Sequence, residues 1–352
     1  MPVNGGKISM KRILAWMAVF CLFGTLALAE DSAQTEETQP QAAMESAGPG
    51  ERPMGDRGER PDGMGGGRGQ GGGVAQSEPD EELEAMLAQV QDAFQLLTFT
   101  DPETGFEMQY ELFAPQDYSA DTRYPMIMFI PDSRAAGREP EFSLTIGWGG
   151  VVWATKEEQA KHPCFVLIPI FTETIVNDNF ETSDQIDTAV RLIESLTQTY
   201  SIDRDRLYTT GQSMGGMTSF HLNVKYPELF AASLFVGSQW NNDILDVLES
   251  DRFFYIVSAG DDKASTGQSG LMAVFDRDGA AYAHDEWSAQ DDAAAQEAAV
   301  QALLDQGLNA NFVTFTKGTT LPEGAGGSEH LTSFDYAYRL ETVRDWLFAQ
   351  SK

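Results

Sequence analysis

Apolar residues along this chain fall into two alternating spacings. Met126 to Ile130, Phe165 to Ile170, Ala232 to Val236 and Phe253 to Ser258 are short, nearly continuous apolar runs. Strands covered on both faces of a parallel sheet carry such runs, whereas a strand with one wet face alternates. Ala310 to Thr316 predicts a further strand, and Phe106 to Pro115 alternates in a strand-like way. Between these runs the spacing becomes helical. Ser77-Glu78-Pro79-Asp80 supplies a helix start, after which Leu83, Met86, Leu87, Val90 and Phe94 recur on one side. Asp184 to Tyr200 places Ile186, Val190, Ile193 and Leu196 on one helical face. Further helices are predicted from about Met217 to before Pro227, around Asp291 to Gln306, and from about Ser333 to Gln350. Strands alternating with helices predict one α/β domain over residues 77–352, with a mostly parallel central sheet, helices on both faces and an insert before the last strand.

The first 76 residues lack this pattern. Lys7, Lys11 and Arg12 precede the apolar run Ile13 to Ala29, and Ala27-Leu28-Ala29 before Glu30 has the small-x-small form of a cleavage site. Residues 1–29 therefore read as a signal peptide; the run is short for a membrane anchor and no positive flank follows it. Cys21 follows Phe20, where a bacterial lipoprotein site needs a small residue, so no lipid anchor is expected. Residues 30–76 carry twelve glycines between Gly48 and Gly73 and no hydrophobic periodicity, which predicts a disordered linker. An RGG-type nucleic-acid segment is the sharper alternative, but Arg52, Arg57, Arg60 and Arg68 are offset by Glu51, Asp56, Glu59 and Asp62.

Charge and cysteine content narrow the setting. The 352 residues carry a formal net charge of −31, which argues against nucleic acid and anionic membranes as partners. Once the signal is removed Cys164 is the only cysteine, so the fold depends on its core and not on a disulfide. Cys164 sits in an apolar run and reads as a small buried hydrophobe. The expectation is an exported protein, periplasmic or extracellular, of bacterial type.

The chemistry centres on Tyr208-Thr209-Thr210-Gly211-Gln212-Ser213-Met214-Gly215-Gly216. An apolar strand, Gly-x-Ser-x-Gly and a helix start follow one another. In that setting the flanking glycines let strand and helix approach closely around a strained turn that exposes the serine hydroxyl. The backbone N–H of Met214 then points where an oxyanion would form. A serine hydroxyl needs a base, itself oriented by a carboxylate. Of the four histidines, His162 precedes a strand and falls at the wrong edge of the sheet. His221 lies eight residues along the helix, about 12 Å away at the helical rise per residue. His284 falls in a polar insert, Gly267 to Asp291, while His330 falls in the loop Gly318 to Thr332 that leaves the correct edge. His330 is the predicted base. The strand Phe254 to Val257 runs into Ser258-Ala259-Gly260-Asp261-Asp262, where either aspartate fits the chain order Ser…Asp…His. Two adjacent carboxylates alone are weak evidence for calcium, and no metal is expected.

On these residues the chain resembles the secreted esterase and predicted-peptidase type of α/β-hydrolase, related to polyhydroxybutyrate depolymerases, feruloyl esterases and prolyl oligopeptidase catalytic domains. The resemblance spans about residues 98 to 350. It is carried by Tyr200 to Tyr208 before the elbow, Ser213-Met214-Gly215-Gly216 within it, Lys225 to Ala232 after the helix, and Trp153-Ala154-Thr155, Gln159 to Pro163 and Trp346-Leu347-Phe348. It implies an α/β-hydrolase fold with Ser213 as nucleophile and His330 as base. The family acid sits in a His-Gly-x-x-Asp turn, and with Ser258 to Asp262 in its place Asp262 is the residue in register; Asp261 stays open.

One departure stands out. Where the family carries His-Gly after the strand Met126 to Ile130, this chain has Pro131-Asp132-Ser133. Proline has no N–H, and a carboxylate beside an oxyanion repels it unless turned away, so the N–H of Ser133 is left as the second oxyanion donor. The segment Lys263 to Asp291 is expected to contribute a lid with Trp287. Trp148, Trp153, Trp240 and Phe171 are candidates for a pocket wall, although such aromatics more often fill the core. The resemblance implies a secreted serine hydrolase cleaving small-molecule or polymer-linked carboxylic esters through an acyl-enzyme, without a cofactor. Peptide cleavage of the prolyl-oligopeptidase type and a non-catalytic binding protein on the same scaffold are the alternatives.

Overall fold

A computed structural model of the protein describes residues 81–321 and 326–352, all within one compact unit, Gln70–Lys352. The expected signal peptide, the expected linker and the expected helix start at Ser77–Asp80 lie outside the described residues.

Nine strands form one sheet in the order β1-β2-β4-β3-β5-β6-β7-β9-β8. They are β1 (Gln95–Thr100), β2 (Glu107–Phe113), β3 (Tyr124–Ile130), β4 (Phe165–Pro169), β5 (Ile202–Gln212), β6 (Ala232–Val236), β7 (Phe253–Ser258), β8 (Ala283–Trp287) and β9 (Ala310–Phe315). The contacts β1–β2 and β2–β4 are antiparallel; every other pairing is parallel. This is the α/β-hydrolase arrangement predicted. The apolar runs are apolar throughout because both faces are covered. On β3, Met126, Met128 and Ile130 enter one core while Ile127 and Phe129 enter the other. Helices α5 (Gln185–Thr199), α6 (Met214–Lys225) and α7 (Asp262–Asp278) cover the first face through Ile186, Ile193, Phe220 and Phe275. On the second face lie α1 (Glu81–Val90), α8 (Ala293–Leu304), α9 (Glu329–Arg339) and α10 (Glu341–Phe348), through Val90, Leu303, Phe334 and Leu347. Three short helices, α2 (Phe142–Thr145), α3 (Trp148–Val151) and α4 (Lys156–Lys161), link β3 to β4.

From β3 the chain passes to β4 on one side and then to β5 on the other. This reversal leaves a crevice at the carboxyl ends of β3 and β5, where ligands bind in open α/β sheets.

Three elements depart from expectation. Strand β1 was not foreseen, because its sequence is largely exposed and follows directly on a helical pattern. The predicted last helix is two helices broken at Leu340, which is extended (φ −65°, ψ 97°). The first of them begins at Glu329, so His330 lies in a helical turn and not in the preceding loop. The segment 263–291 is no lid: it forms α7 and the edge strand β8, with Trp287 buried against Phe315 at 6.2 Å. Helix α7 was hidden by Gly267 and Gly270, each costing about 1 kcal/mol relative to alanine in a helix. Packing overrides that cost. A Cβ on Gly267 would stand 2.4 Å from Gln239 Cβ, and one on Gly270 2.0 Å from Asn242 Nδ2.

Candidate active site

The turn after β5 is forced by close packing. A Cβ on Gly215 would stand 1.8 Å from the carbonyl oxygen of Ile130, and one on Gly211 2.3 Å from the carbonyl carbon of Gly215. Glycine at both positions lets α6 descend onto the ends of β3 and β5. Ser213 between them adopts φ 51°, ψ −118°, a conformation that costs of order 1–3 kcal/mol outside glycine. The turn is held by its own backbone: Ser213 N–H donates to Val236 O at 3.0 Å, and Met217 N–H to Ser213 O at 2.9 Å.

His330 reaches this serine from the first turn of α9. Ser213 Oγ and His330 Nε2 are 2.9 Å apart, and His330 Nδ1 lies 2.5 Å from Asp261 Oδ2. With the proton on Nδ1, Nε2 is free to accept from the serine hydroxyl. The ring packs edge-on against Phe334, one helical turn later, at 5.0 Å between centroids.

The carboxylate that faces His330 is that of Asp261 and not that of the expected Asp262. Asp261 is the N-cap of α7, buried, with Oδ1 accepting the Ala264 N–H at 3.2 Å while Oδ2 faces the histidine. Asp262 is the first helical residue and its side chain is exposed. At a helix start a one-residue step turns the side chain from the sheet edge to solvent. In this turn the carboxylate that meets the histidine directly follows Gly260, one position before the family register.

A cavity of about 310 Å³ opens beside Ser213 and His330, and both Ser133 and Met214 line it. Among the described residues neither of their backbone N–H groups has a protein acceptor. The carboxylate of Asp132 is turned away from this space and buried. It accepts from Arg134 N–H and Nε, both at 2.9 Å, from Arg134 Nη2 at 2.8 Å and from Gln212 Nε2 at 2.9 Å. The anion that the sequence places beside the cavity is thus paired with a guanidinium. Arg134 and Gln212 were missed in the sequence: an Arg two residues after a buried Asp is a local hint, whereas nothing local points to Gln212. The rest of the wall is mixed, with Thr174, Asn177, Asp178, Ser238, Gln239 and Lys263 beside Val176, Met217 and Ala264. The expected aromatics do not line it; Trp153, Trp240 and Phe171 are buried core, and Trp148 stacks under Arg339 at 4.7 Å.

The other histidines lie elsewhere. His162 contacts Asp345 Oδ1 at 2.8 Å and stacks on Phe348. His221 packs on Trp240, with burial pushing its imidazole below the usual range. His284 sits on β8, 3.1 Å from Thr314 Oγ1. Glu158, His162 and Asp345 bring ligand-type atoms within 4.8 Å of one another, but Arg344 already pairs with Glu158 and Lys161 lies beside Asp345.

Residues 176–340, which include Ser213, Asp261 and His330, match the family described as putative esterase. Among solved structures, a thermostable esterase is 26% identical at a TM-score of 0.60, over 74% of this chain and 64% of that one. The protein has the α/β-hydrolase fold of esterases. The chain thus spans about two thirds of the length of that relative. A ferulic acid esterase aligns at 11% identity and a TM-score of 0.48, over 72% of this chain and 98% of its own. The ferulic acid esterase of the anaerobic fungus Anaeromyces mucronatus aligns at 11% identity and a TM-score of 0.46, over 71% of this chain and 91% of its own. No curated protein matches this chain.

Proposed function

We propose that this α/β-hydrolase cleaves carboxylic esters through an acyl-enzyme, with Ser213 as nucleophile, His330 as general base and Asp261 as the orienting acid. The observation that carries the reading is the hydrogen-bonded chain Ser213 Oγ–His330–Asp261, at 2.9 and 2.5 Å, next to a cavity with two free backbone N–H groups.

In this mechanism His330 Nε2 takes the Ser213 proton as Oγ attacks the ester carbonyl carbon. Asp261 holds Nδ1–H and stabilises the imidazolium that forms. The carbonyl oxygen gains negative charge, and the N–H groups of Met214 and Ser133 receive it; removing one such donor typically costs about 10²–10³ in kcat. His330 then returns its proton to the departing alcohol, leaving the acyl group on Ser213 Oγ. Water enters by the reverse sequence, with His330 again as base, and releases the acid. Asp132 does not oppose the oxyanion in this scheme, since its charge is paired with Arg134.

Ester cleavage is preferred to peptide cleavage because the esterase match spans the residues given catalytic roles here. We further propose that residues 1–29 direct export and are removed, so that the enzyme acts outside the cytoplasm on small-molecule or polymer-linked esters. Labelling with a fluorophosphonate probe tests the nucleophile: wild type is expected to label, and Ser213→Ala and His330→Ala are not. An unlabelled, folded wild type would overturn the reading. Panels of p-nitrophenyl esters and peptide anilides separate the bond types, and N-terminal sequencing of exported protein tests cleavage after Ala29.

A further inference from the structure

Glu329 immediately precedes His330 at the start of α9. Its Oε2 accepts hydrogen bonds from Ser258 Oγ at 2.7 Å, Gly318 N–H at 2.8 Å and Thr320 Oγ1 at 3.4 Å. The three donors stand on two stretches, the end of β7 and the loop that follows β9. Ser258 and Thr320 are fully buried, so their hydroxyls depend on protein partners. Ser258 Oγ also accepts the Gly260 N–H at 3.2 Å, shaping the turn that delivers Asp261. The other carboxylate oxygen lies against the same turn, where a Cβ on Gly260 would stand 1.8 Å from Oε1. One carboxylate therefore ties the turn that carries the acid to the helical turn that carries the base.

We propose that Glu329 is a positioning residue that sets the separation and alignment of Asp261 and His330, and through them of Ser213. It touches none of the reacting atoms in the chain Ser213–His330–Asp261. The inference rests on the catalytic reading of those three residues. Its physical content is geometric: a misplacement of 1 Å in a catalytic group costs about 10²-fold in rate. A first-turn carboxylate also favours helix α9 simply by its charge, and a role limited to that would alter stability but not the acid–base geometry.

The test compares Glu329→Ala, Glu329→Gln and Ser258→Ala with wild type in the full chain. Four quantities are read: kcat and KM on p-nitrophenyl acetate, the fluorophosphonate labelling rate, and the downfield proton resonance of His330 Nδ1–H, assigned with His330→Ala. Glu329→Ala should lower kcat and labelling about 100-fold, leave KM within about twofold, and shift or abolish the resonance. Glu329→Gln keeps an acceptor oxygen and should restore most of the rate and the resonance. Ser258→Ala added to Glu329→Ala should cost little more than either alone, because both act through one contact. A Glu329→Ala protein with kcat within about threefold of wild type and an unmoved resonance would overturn the proposal. If Glu329→Ala does not fold, Ser258→Ala decides on the same readouts. Should wild type neither hydrolyse esters nor label, the proposed function fails, while the resonance still reports whether Glu329 holds the pair.

Discussion

The serine and its two partners reach one point by opposite routes. The turn after β5 is built locally: Gly211, Ser213 and Gly215 lie within five residues, and backbone contacts with Ile130 and Val236 complete it. The opposing side is assembled at long range, with Asp261 at the start of α7, His330 at the start of α9 and Glu329 bonding to β7 and to the loop after β9. A local device is readable as a motif and resists change through sterics. A distributed one leaves no motif, and its members are separable by mutation.

The sharpest break of that comparison is Asp261→Asn beside Asp262→Asn. The first should lower kcat/KM about 10⁴-fold, the size seen when an orienting acid is neutralised, and the second less than about twofold. Equal losses would mean that the turn rearranges in solution. Next in size is Ser133→Pro, which removes one N–H at the first position of a short 3-10 turn, where proline is tolerated. Asp132 before it is already extended (φ −73°, ψ 174°), as a residue preceding proline must be. We expect kcat to fall about 10²–10³-fold with KM little changed. On the local side, Gly215→Ala should act on folding, destabilising by about 3 kcal/mol in thermal or urea unfolding because the strand backbone it meets cannot retreat.

The smallest effect concerns a second buried aspartate, remote from the cavity. Asp101 accepts from Arg191 Nε at 2.7 Å, Thr188 Oγ1 at 2.7 Å and Thr104 Oγ1 at 2.8 Å, and the Arg191 guanidinium holds its carboxyl well below the usual range. A depressed folded-state pKa contributes stability above the unfolded carboxylate value of about 3.9 and loses it as pH falls. The melting temperature should therefore drop progressively as pH falls below about 5, down through the depressed folded value of Asp101, and Asp101→Asn should flatten that slope. Such an acid fills its bonding capacity and only stabilises, whereas Asp261 gives one oxygen to a backbone cap and keeps the other for the histidine.

Legibility in the sequence follows the same division. β6 and β7 span the residues their apolar runs delimit, and the elbow was visible as glycine spacing in a strand–helix context. Strand β1 and helix α7 were not, because an exposed edge and two packed glycines mask their periods. For the site, Ser213 and His330 meet as the motif and the elimination of other histidines implied. The choice between Asp261 and Asp262 turned on helix phase at a cap, which residue counting cannot resolve. The inward turn of Asp132 depended on Gln212, eighty positions away.

The strand that replaced the expected lid has a consequence for how these molecules coexist. β8 closes one side of the sheet with its free hydrogen-bonding edge, and its middle residues His284, Asp285 and Glu286 are exposed while Ala283 and Trp287 are buried. Two neighbouring carboxylates on that border repel the same border of another copy, and the strand is only five residues long. Short, charged borders of this kind keep sheets from adding strands from other chains. Such a border works against edge-to-edge pairing of two copies.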